Sequence, residues 1–229
     1  MKKLLVLIFS YLVVSIFTNC SEESEKGDGL PYYKFEQDDL GKLINQPIVG
    51  TELKYKNQDN EVIIFKVYFA ELGKTIYSTG NFSSSYASKH FYYDKQEIKM
   101  WYNEGWGYTT CEIILKKYPL DSNYRVDPPI IGQPGFYGYF EFPLWNGYVG
   151  TDHFDNSISI DFNLPMITMT FNGKTYSKVR VYESNKTQVL GLDYPSPPYR
   201  PRNVNKLYYD QNSGIIGFDD LNGKKWRLE

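Results

Sequence analysis

The chain has 229 residues, a formal net charge of −2 and a 17% aromatic content made up of 22 Tyr, 14 Phe and 4 Trp. This charge balance lacks the basic surface that nucleic-acid binding requires, so nucleic acid is excluded as a partner. Tyr and Phe favour pleated, half-buried surfaces, and no long helical periodicity accompanies them, which predicts antiparallel β structure.

The first 20 residues have the pattern of an export signal. Two lysines precede an apolar run of 14 residues, Leu4–Phe17, and Cys20 follows after two polar residues. The run is shorter than the roughly 20 residues that a membrane-spanning helix needs, and it fits the apolar region of a signal peptide. The stretch ending at Cys20 resembles a bacterial lipobox, which implies cleavage before Cys20 and lipidation of that cysteine. We therefore interpret residues 1–19 as a signal peptide; a plain secreted protein is the alternative.

An acidic segment of small residues follows the cysteine. Residues 21–30 read SEESEKGDGL and show no apolar periodicity. Together with Cys20 they are interpreted as a flexible tether. An acidic string in this position resembles the signal that sends Bacteroidota lipoproteins to the outer face of the outer membrane; an ordinary solvated linker is the alternative. Cleavage would leave 23 basic and 27 acidic residues.

The folded part is expected to begin at residue 31 with one short helix, FEQDDLGKLI, whose apolar residues share a face. From Thr51 the pattern changes to strands. A polar turn, Asn57–Asn60, predicts a first hairpin, and on its second strand the alternating residues are core candidates. These are Ile63, Phe65, Val67 and Phe69. Residues 73–88 are rich in Ser, Gly and Thr and predict a long surface loop with at most one brief strand.

The middle of the chain predicts further strands separated by turns. KHFYYD and EIKMWYN are expected on either side of a break at residues 94–96, followed by GYTTCEIILKKY. Residues 119–135 contain four prolines and exclude a central strand. After FYGYFEFPLW, the segment SISIDFN alternates, which places Ile158, Ile160 and Phe162 inward.

Two Asn-Gly turns allow a prediction of register. At Asn172-Gly173 a two-residue turn would place Ile167 opposite Lys178, whereas a three-residue loop pairs residue 170 with 174 and aligns Ile167 with Val179. We therefore expect the three-residue loop.

The same reasoning applies at the end of the chain. A three-residue loop that ends at Gly223 places Phe218 opposite Trp226 and Ile216 opposite Leu228. Residues 205–229 would then form a three-stranded meander that closes the core.

Two segments carry a family resemblance. LYYDQNSGIIGFDDLNGKKWRL, at residues 207–228, and LKYKNQDNEVIIFKV, at residues 53–67, resemble a family of uncharacterised Bacteroidota outer-membrane lipoproteins. The resemblance implies a β fold and an outer-membrane location. It brings no catalytic or ligand-binding residues.

Few residues form patterns that support catalysis. Asp152-His153-Phe154-Asp155 combines an imidazole with carboxylates but is better explained as a polar loop. Glu141 could pair with another carboxylate across a sheet, as glycoside hydrolysis requires. Cys111 lies in a strand-like run and is interpreted as a small buried hydrophobic residue. We expect no enzyme, no cofactor and no metal site.

Binding is the better supported class. Aromatic side chains at strand ends and in Gly/Asn-rich loops can stack on the apolar faces of sugar rings. The candidate ligand-binding residues are Trp101, Trp106, Tyr108, Trp145 and Tyr148, with Tyr102 beside them. Alternatively, these rings cap the open ends of a β-sandwich. The proline-rich segment 195–202, PSPPYRPR, offers a third possibility, recognition by a partner protein.

These observations predict one all-β domain over residues 31–229, an antiparallel β-sandwich or a strongly curved half-barrel of about 11–13 strands. Two small sheets that divide near residues 120–135 are the alternative. The expected function is that of a surface-anchored, non-catalytic lipoprotein that binds an extracellular ligand, such as a glycan. A structural or assembly lipoprotein of the cell envelope, without a small ligand, is the alternative function.

Overall fold

The computed structural model describes residues 29–79, 89–103, 108–119, 134–146, 148–149, 153–154, 157–184, 187 and 202–229. The predicted signal peptide, Cys20 and most of the tether lie outside these ranges. Tyr32–Glu229 form one compact unit. Within the described residues there is a single helix, α1 (Gln37–Leu40), and the rest of the regular structure is β-strand.

The described strands are β1 (Tyr32–Tyr33), β2 (Glu52–Lys56), β3 (Val62–Thr79), β4 (Lys89–Asn103), β5 (Tyr108–Pro119), β6 (Pro134–Glu141), β7 (Tyr148–Val149), β8 (His153–Phe154), β9 (Ser157–Ser159), β10 (Ile167–Phe171), β11 (Lys174–Glu183), β12 (Val204–Asp210), β13 (Gly214–Asp220) and β14 (Lys225–Leu228). Eleven of them form one antiparallel path in the order β10-β11-β12-β13-β14-β2-β3-β4-β5-β6-β9. β1 pairs in parallel with β4, and β7 pairs with β8 separately. Because β5 and β6 are neighbours in this sheet, the alternative of two sheets divided near residues 120–135 is wrong.

The sheet curls into a half-barrel. Phe140 on β6 contacts Tyr182 on β11 and Tyr209 on β12, with ring centroids 5.3 and 5.8 Å apart, although many strands separate them along the sheet. Trp145 also bridges to Val204 at the start of β12. These contacts bring the two ends of the sheet together around one core and confirm the curved half-barrel as the architecture.

The core lies on the concave inner face. Its fully buried side chains include Tyr55, Phe65, Leu115, Phe140 and Trp226, each at most 2% exposed. Rings from sequence-distant strands meet there, and the hydroxyl of Tyr55 donates a hydrogen bond of 2.7 Å to the carbonyl of Ile215. Burying such large aromatic side chains is a main source of folding free energy.

A smaller cluster lies on the opposite face, around β10–β14. Tyr176, Val179, Tyr208 and Ile216 are buried there, and Phe171 packs against them. In regular β structure Ile216 would share a face with Phe218. A bulge in β13, between the pairs Tyr208–Gly217 and Tyr209–Ile215, moves Ile216 to the other face. The expected inward position of Ile216 is therefore wrong.

A bulge also changes the alternation in β3. Ile63, Phe65 and Val67 are buried as predicted. The register then shifts between Val67 and Phe69, so Ala70 packs against the core and Phe69 does not. The prediction of Phe69 as a core residue is wrong because the unpaired residue Tyr68 reverses the faces that follow it.

The two hairpin predictions have different outcomes. Phe171 pairs with Lys174, so Asn172 and Gly173, with φ of 50° and 78°, form a two-residue turn, and the expected three-residue loop is wrong. A bulge further along β11 nevertheless aligns Ile167 with Val179.

The C-terminal hairpin follows the prediction. Phe218 pairs with Trp226, and Gly223 ends the loop with φ of 79°. β14 then pairs with β2 on its other edge, so the meander lies in the middle of the sheet.

Three local predictions change as well. Residues 73–79 continue β3, and residues 89–103 form one strand without a break at 94–96. The helix ends at Leu40, which is exposed, whereas Ile44 is buried. Ile158 and Ile160 face the core as predicted, and Phe162 packs against it.

Candidate binding surface on the outer face of the sheet

The side chains of β4 alternate between the core and the convex face, which we call the outer face. Ile98 and Met100 are buried in the core. Lys99 lies between these two residues in the strand, and Lys95 and Trp101 lie on either side of them. All three are on the outer face, because successive side chains of a strand point to opposite sides. This alternation brings a predicted ligand-binding residue, Trp101, to the surface.

Trp101 forms a stacked pair with Tyr68. The ring centroids are 4.5 Å apart and the planes differ by 20°. Trp101 is 39% exposed, and Tyr68 is the residue that the bulge in β3 leaves out of register. The bulge thus stacks a second ring on one face of Trp101, which leaves the other face of the indole as the one that a ligand could contact.

Charged and apolar side chains surround this stacked pair. Lys66 is the register partner of Trp101, and Glu52 is the register partner of Lys66 on the next strand. Towards the start of β3, Val62 and Ile64 are exposed on the same face. The outer face of β2, β3 and β4 therefore combines an aromatic surface with charged groups that can bind hydroxyls.

A network of ion pairs lies on the other side of Trp101. The Lys99 ammonium is 3.1 Å from Glu97 and 3.4 Å from Glu112, and the Lys95 ammonium is 2.6 Å from Glu97. Burial opposes ionisation of Glu97, but the hydrogen bonds from Lys95 and Lys99 outweigh it and lower the pKa of the carboxyl. Burial likewise opposes the charge on Lys99, whereas Glu97 and Glu112 raise its pKa overall. These charges are compensated within the protein.

Glu141 lies beside this network, on β6. Its register partner is Glu112, so two carboxylates face each other across neighbouring strands. Glu112 is bound to Lys99, which offsets the repulsion that like charges create in this position. Glu141 is exposed on an open sheet face, and the side chain of Glu112 is 20% exposed.

The structure separates the predicted ligand-binding residues. Trp145 is 6% exposed and belongs to the core, so it has no ring face available for a ligand. Tyr102 is also a core residue and stacks on Phe65 at 5.2 Å. Both side chains therefore pack in the core. Tyr108 and Tyr148 begin β5 and β7, but their side chains, and all of Trp106, lie outside the described part of the structure.

The sequence analysis missed a second aromatic group on the same face. Tyr77 stacks on Phe91 with centroids 4.7 Å apart, and Tyr118 contacts Tyr77, Phe91 and Tyr93. Tyr33 on β1 contacts Phe91 as well. The two-residue spacing of Phe91 and Tyr93 is a signal in the sequence. Since the rings are half-buried against one another, their evident role is to hold β1 and β5 against the long β3–β4 hairpin.

Other candidate chemical groups have structural explanations. Cys111 is fully buried, and burial raises the pKa of its thiol, which keeps the sulfur protonated and unreactive. Its interpretation as a buried hydrophobic residue is confirmed. His153 lies in β8, whereas Asp152 and Asp155 are outside the described residues. Among the described residues, no group of three or more His, Cys, Asp or Glu could hold a metal ion.

The comparisons with known proteins give no match. No protein-family model, no curated protein and no solved structure is similar to the chain. In the part of the chain that the structure describes, no helix has the length and apolar character needed to cross a membrane.

Proposed function

We propose that the protein is a surface-anchored, non-catalytic lipoprotein that binds an extracellular glycan on the outer face of its sheet. The observation that carries the proposal is the stacked pair of Trp101 and Tyr68, with Trp101 39% exposed. Large aromatic side chains are usually buried, and an exposed Trp101 stacked on the half-buried Tyr68 beside charged groups is typical of a recognition surface.

The chemistry of this surface suits a sugar. The C–H face of a pyranose ring is apolar and packs against indole, while its hydroxyls need polar partners at the edge of the ring. Lys66 and Glu52 lie in register beside Trp101 and can provide them. The apolar run at residues 4–17 and the lipobox-like Cys20 support a location where extracellular glycans are available.

The alternative, a structural or assembly lipoprotein of the envelope, is favoured by one observation. Val62 and Ile64 are 42% and 40% exposed and extend the surface of Trp101 with apolar area. A protein partner would cover this aliphatic patch, whereas a glycan would mainly need the rings.

The test is a glycan array followed by titration of the best ligand. Truncating an aromatic residue at the centre of a binding site costs about 2 kcal/mol or more, so Trp101→Ala should weaken binding by about 30-fold. Ile64→Ala is the matched control, with equal exposure on the same face, and should change the affinity by less than about 3-fold.

A thermal melt separates this role from a packing role. Trp101→Ala should lower the midpoint much less than Trp145→Ala, because Trp101 is 39% exposed whereas Trp145 is 6% exposed. Trp145→Ala should destabilise the fold by about 3–5 kcal/mol, the usual cost of emptying a buried aromatic site. A loss of glycan binding for Ile64→Ala as large as for Trp101→Ala would contradict a specific role of the stacked pair, and the absence of any glycan ligand would favour a protein partner.

A further inference from the structure

A polar groove opens on the outer face at the ends of β2 and β14. It has a volume of about 660 Å³. Its walls are the β2–β3 turn, the tip of the β10–β11 hairpin and the C-terminal strand. The lining residues are Lys56, Asn57, Gln58, Asn60, Asn172, Lys225, Arg227 and Glu229.

The lining of this polar groove selects one class of ligand. Three of its side chains are cationic, one is a carboxylate and four are amides, and none of the lining residues is aromatic or aliphatic. None of the lining residues offers an aromatic ring on which a neutral sugar could stack. A ligand with negatively charged oxygens would gain both Coulomb attraction and hydrogen bonds.

The walls of the groove are held in place by hydrogen bonds. The Gln58 side chain donates to the Gly223 carbonyl at 3.0 Å and accepts from the Lys225 backbone N–H at 2.9 Å. The Asn172 amide donates to the Leu228 carbonyl at 2.9 Å. These bonds join the three segments before any ligand arrives, which reduces the ordering cost of binding.

The lysines of the groove differ from their neighbours in the chain. The Lys56 ammonium is 4.0 Å from Glu229, at the limit of an ion pair, and Lys225 forms no ion pair with the described residues. By contrast, Lys54 pairs with Glu52, and Lys224 pairs with Glu61. Lys56 and Lys225 are therefore the cations available to a ligand.

Arg227 has a different role at the base of the groove. Its guanidinium is 2.6 Å from Asp219 and donates to the carbonyls of Phe218 and Trp226. It also lies over the ring of Phe171, 4.6 Å from the centroid. These contacts fix its position, and the Asp219 carboxylate compensates its charge, so that Lys56 and Lys225 supply the positive charge available to a ligand.

We infer that the polar groove binds the carboxylate or sulfate groups of an acidic oligosaccharide. The inference rests on the proposed function and names its substrate class. Trp101, Lys66 and Glu52 lie side by side across three strands, and Lys56 is four residues further along β2. Standard strand dimensions then place Lys56 about 16 Å from Trp101, so one oligosaccharide of several units could reach from the stacked pair to the groove.

The test compares matched hexasaccharides on the detergent-solubilised full chain. The probes are an oligogalacturonate hexamer, its carboxyl-reduced neutral counterpart and inorganic phosphate, titrated by calorimetry at low salt. The acidic hexamer should bind at least 10-fold more tightly than the neutral one, and the difference should fall as salt is added. Equal affinities would overturn the inference, as would competition by millimolar phosphate as effective as that by the hexamer, because a simple anion site needs no saccharide.

Paired lysine variants locate the effect. An exposed ion pair contributes about 0.2–1 kcal/mol, so each of Lys56→Gln and Lys225→Gln should weaken binding by about 2- to 5-fold and the double variant by about 10-fold. The control is the double variant Lys54→Gln/Lys224→Gln, which removes the same charge from neighbouring positions. If both double variants lose affinity equally, the effect is a general charge effect and the groove is not the site.

The same titrations separate this inference from the proposed function. If the neutral hexamer binds and depends on Trp101, but the acidic hexamer binds no more tightly, the groove inference alone is wrong. If neither hexamer binds and no other acidic or neutral glycan does so on an array, the proposed function is wrong and the inference fails with it.

Discussion

A buried ion pair ties helix α1 to the sheet, and breaking it should destabilise the fold strongly. The Lys117 ammonium on β5 lies 2.8 Å from a carboxylate oxygen of Asp39, and the two side chains are 7% and 5% exposed. Asp39 also accepts a hydrogen bond from the backbone N–H of Glu36, as part of a capping box at the start of the helix. One carboxylate therefore both caps the helix and fixes it to the core.

The perturbation is Lys117→Met, which keeps most of the apolar stem and removes the charge. Removing one partner of a buried pair costs about 3–5 kcal/mol because the other charge stays buried without compensation. Lys42, at 3.5 Å, and the Glu36 N–H remain near Asp39, so we expect the lower end of this range, about 3 kcal/mol. For a domain of this size the melting temperature should fall by about 6–12 °C.

The shifted pKa of Asp39 predicts how the stability deficit of Lys117→Met changes with pH. Burial opposes ionisation of Asp39, but Lys117 and the Glu36 N–H outweigh it and lower the pKa from its ordinary 3.8. In the wild type, the carboxylate therefore adds stability above the unfolded pKa, and this contribution is lost as the pH falls through the lowered folded pKa. In Lys117→Met, burial should raise the pKa of Asp39, so the folded state takes up a proton more readily and the deficit should shrink on acidification.

The assay is urea denaturation of both proteins at pH 7 and pH 4, monitored by tryptophan fluorescence. Lys42→Met is the control, because Lys42 contacts the same carboxylate but its side chain is 33% exposed, and it should cost no more than about 1 kcal/mol. A Lys117→Met protein that is no less stable than Lys42→Met, or whose deficit grows at pH 4, would refute the reasoning.

Two further predictions concern the ends of the chain. Cys20→Ser should yield unlipidated protein that leaves the membrane, because two or more acyl chains hold a lipoprotein there; quantitative membrane association after a high-salt wash would count against the lipobox interpretation. Deleting residues 224–229 should abolish the cooperative melting transition, because it removes β14 from between β13 and β2. The deletion also removes Trp226, which is 2% exposed and covers Phe218 in the core. An unchanged transition by calorimetry would show that this strand is dispensable.

Strand alternation predicted the core up to the bulges and failed after them. Ile63, Phe65 and Val67 follow the simple period of two, whereas Phe69 lies beyond the unpaired Tyr68. A bulge adds one residue to one strand, so it depends on the partner strand and leaves no local mark in the sequence. The same cause moved Ile216 to the outer face in β13.

The two hairpins show why register can be right when the turn is wrong. Matching Phe218 with Trp226 predicted the C-terminal loop correctly, since two large rings must face the same core. At Asn172-Gly173 the left-handed backbone preferred by Asn and Gly gave a two-residue turn, and the bulge in β11 then restored the pairing of Ile167 with Val179. Local turn chemistry and side-chain matching are separate constraints, and a bulge can satisfy both.

The candidate site was only partly visible for a different reason. The Asn/Gly-rich surroundings of Trp101 and Trp145 look equivalent in the sequence, but the strand register exposes the first ring, and the bridge to Val204 at the meeting of the sheet ends places the second in the core.

The polar groove gave no signal at all in the sequence, because its walls come from segments more than 50 residues apart: the Asn57–Asn60 turn, Asn172 and the C-terminal strand. Taken by itself, each of these segments has the sequence of an ordinary turn or strand end. Only the fold, which brings the tip of the β10–β11 hairpin to β14, joins Lys56, Lys225 and the fixed guanidinium of Arg227 in one groove. If an acidic glycan is the ligand, its charged groups bind in a groove that three distant segments form together, whereas its sugar rings contact single aromatic residues. Mutations in the C-terminal hairpin should then change charge selectivity, whereas mutations at Trp101 should weaken binding of acidic and neutral chains alike.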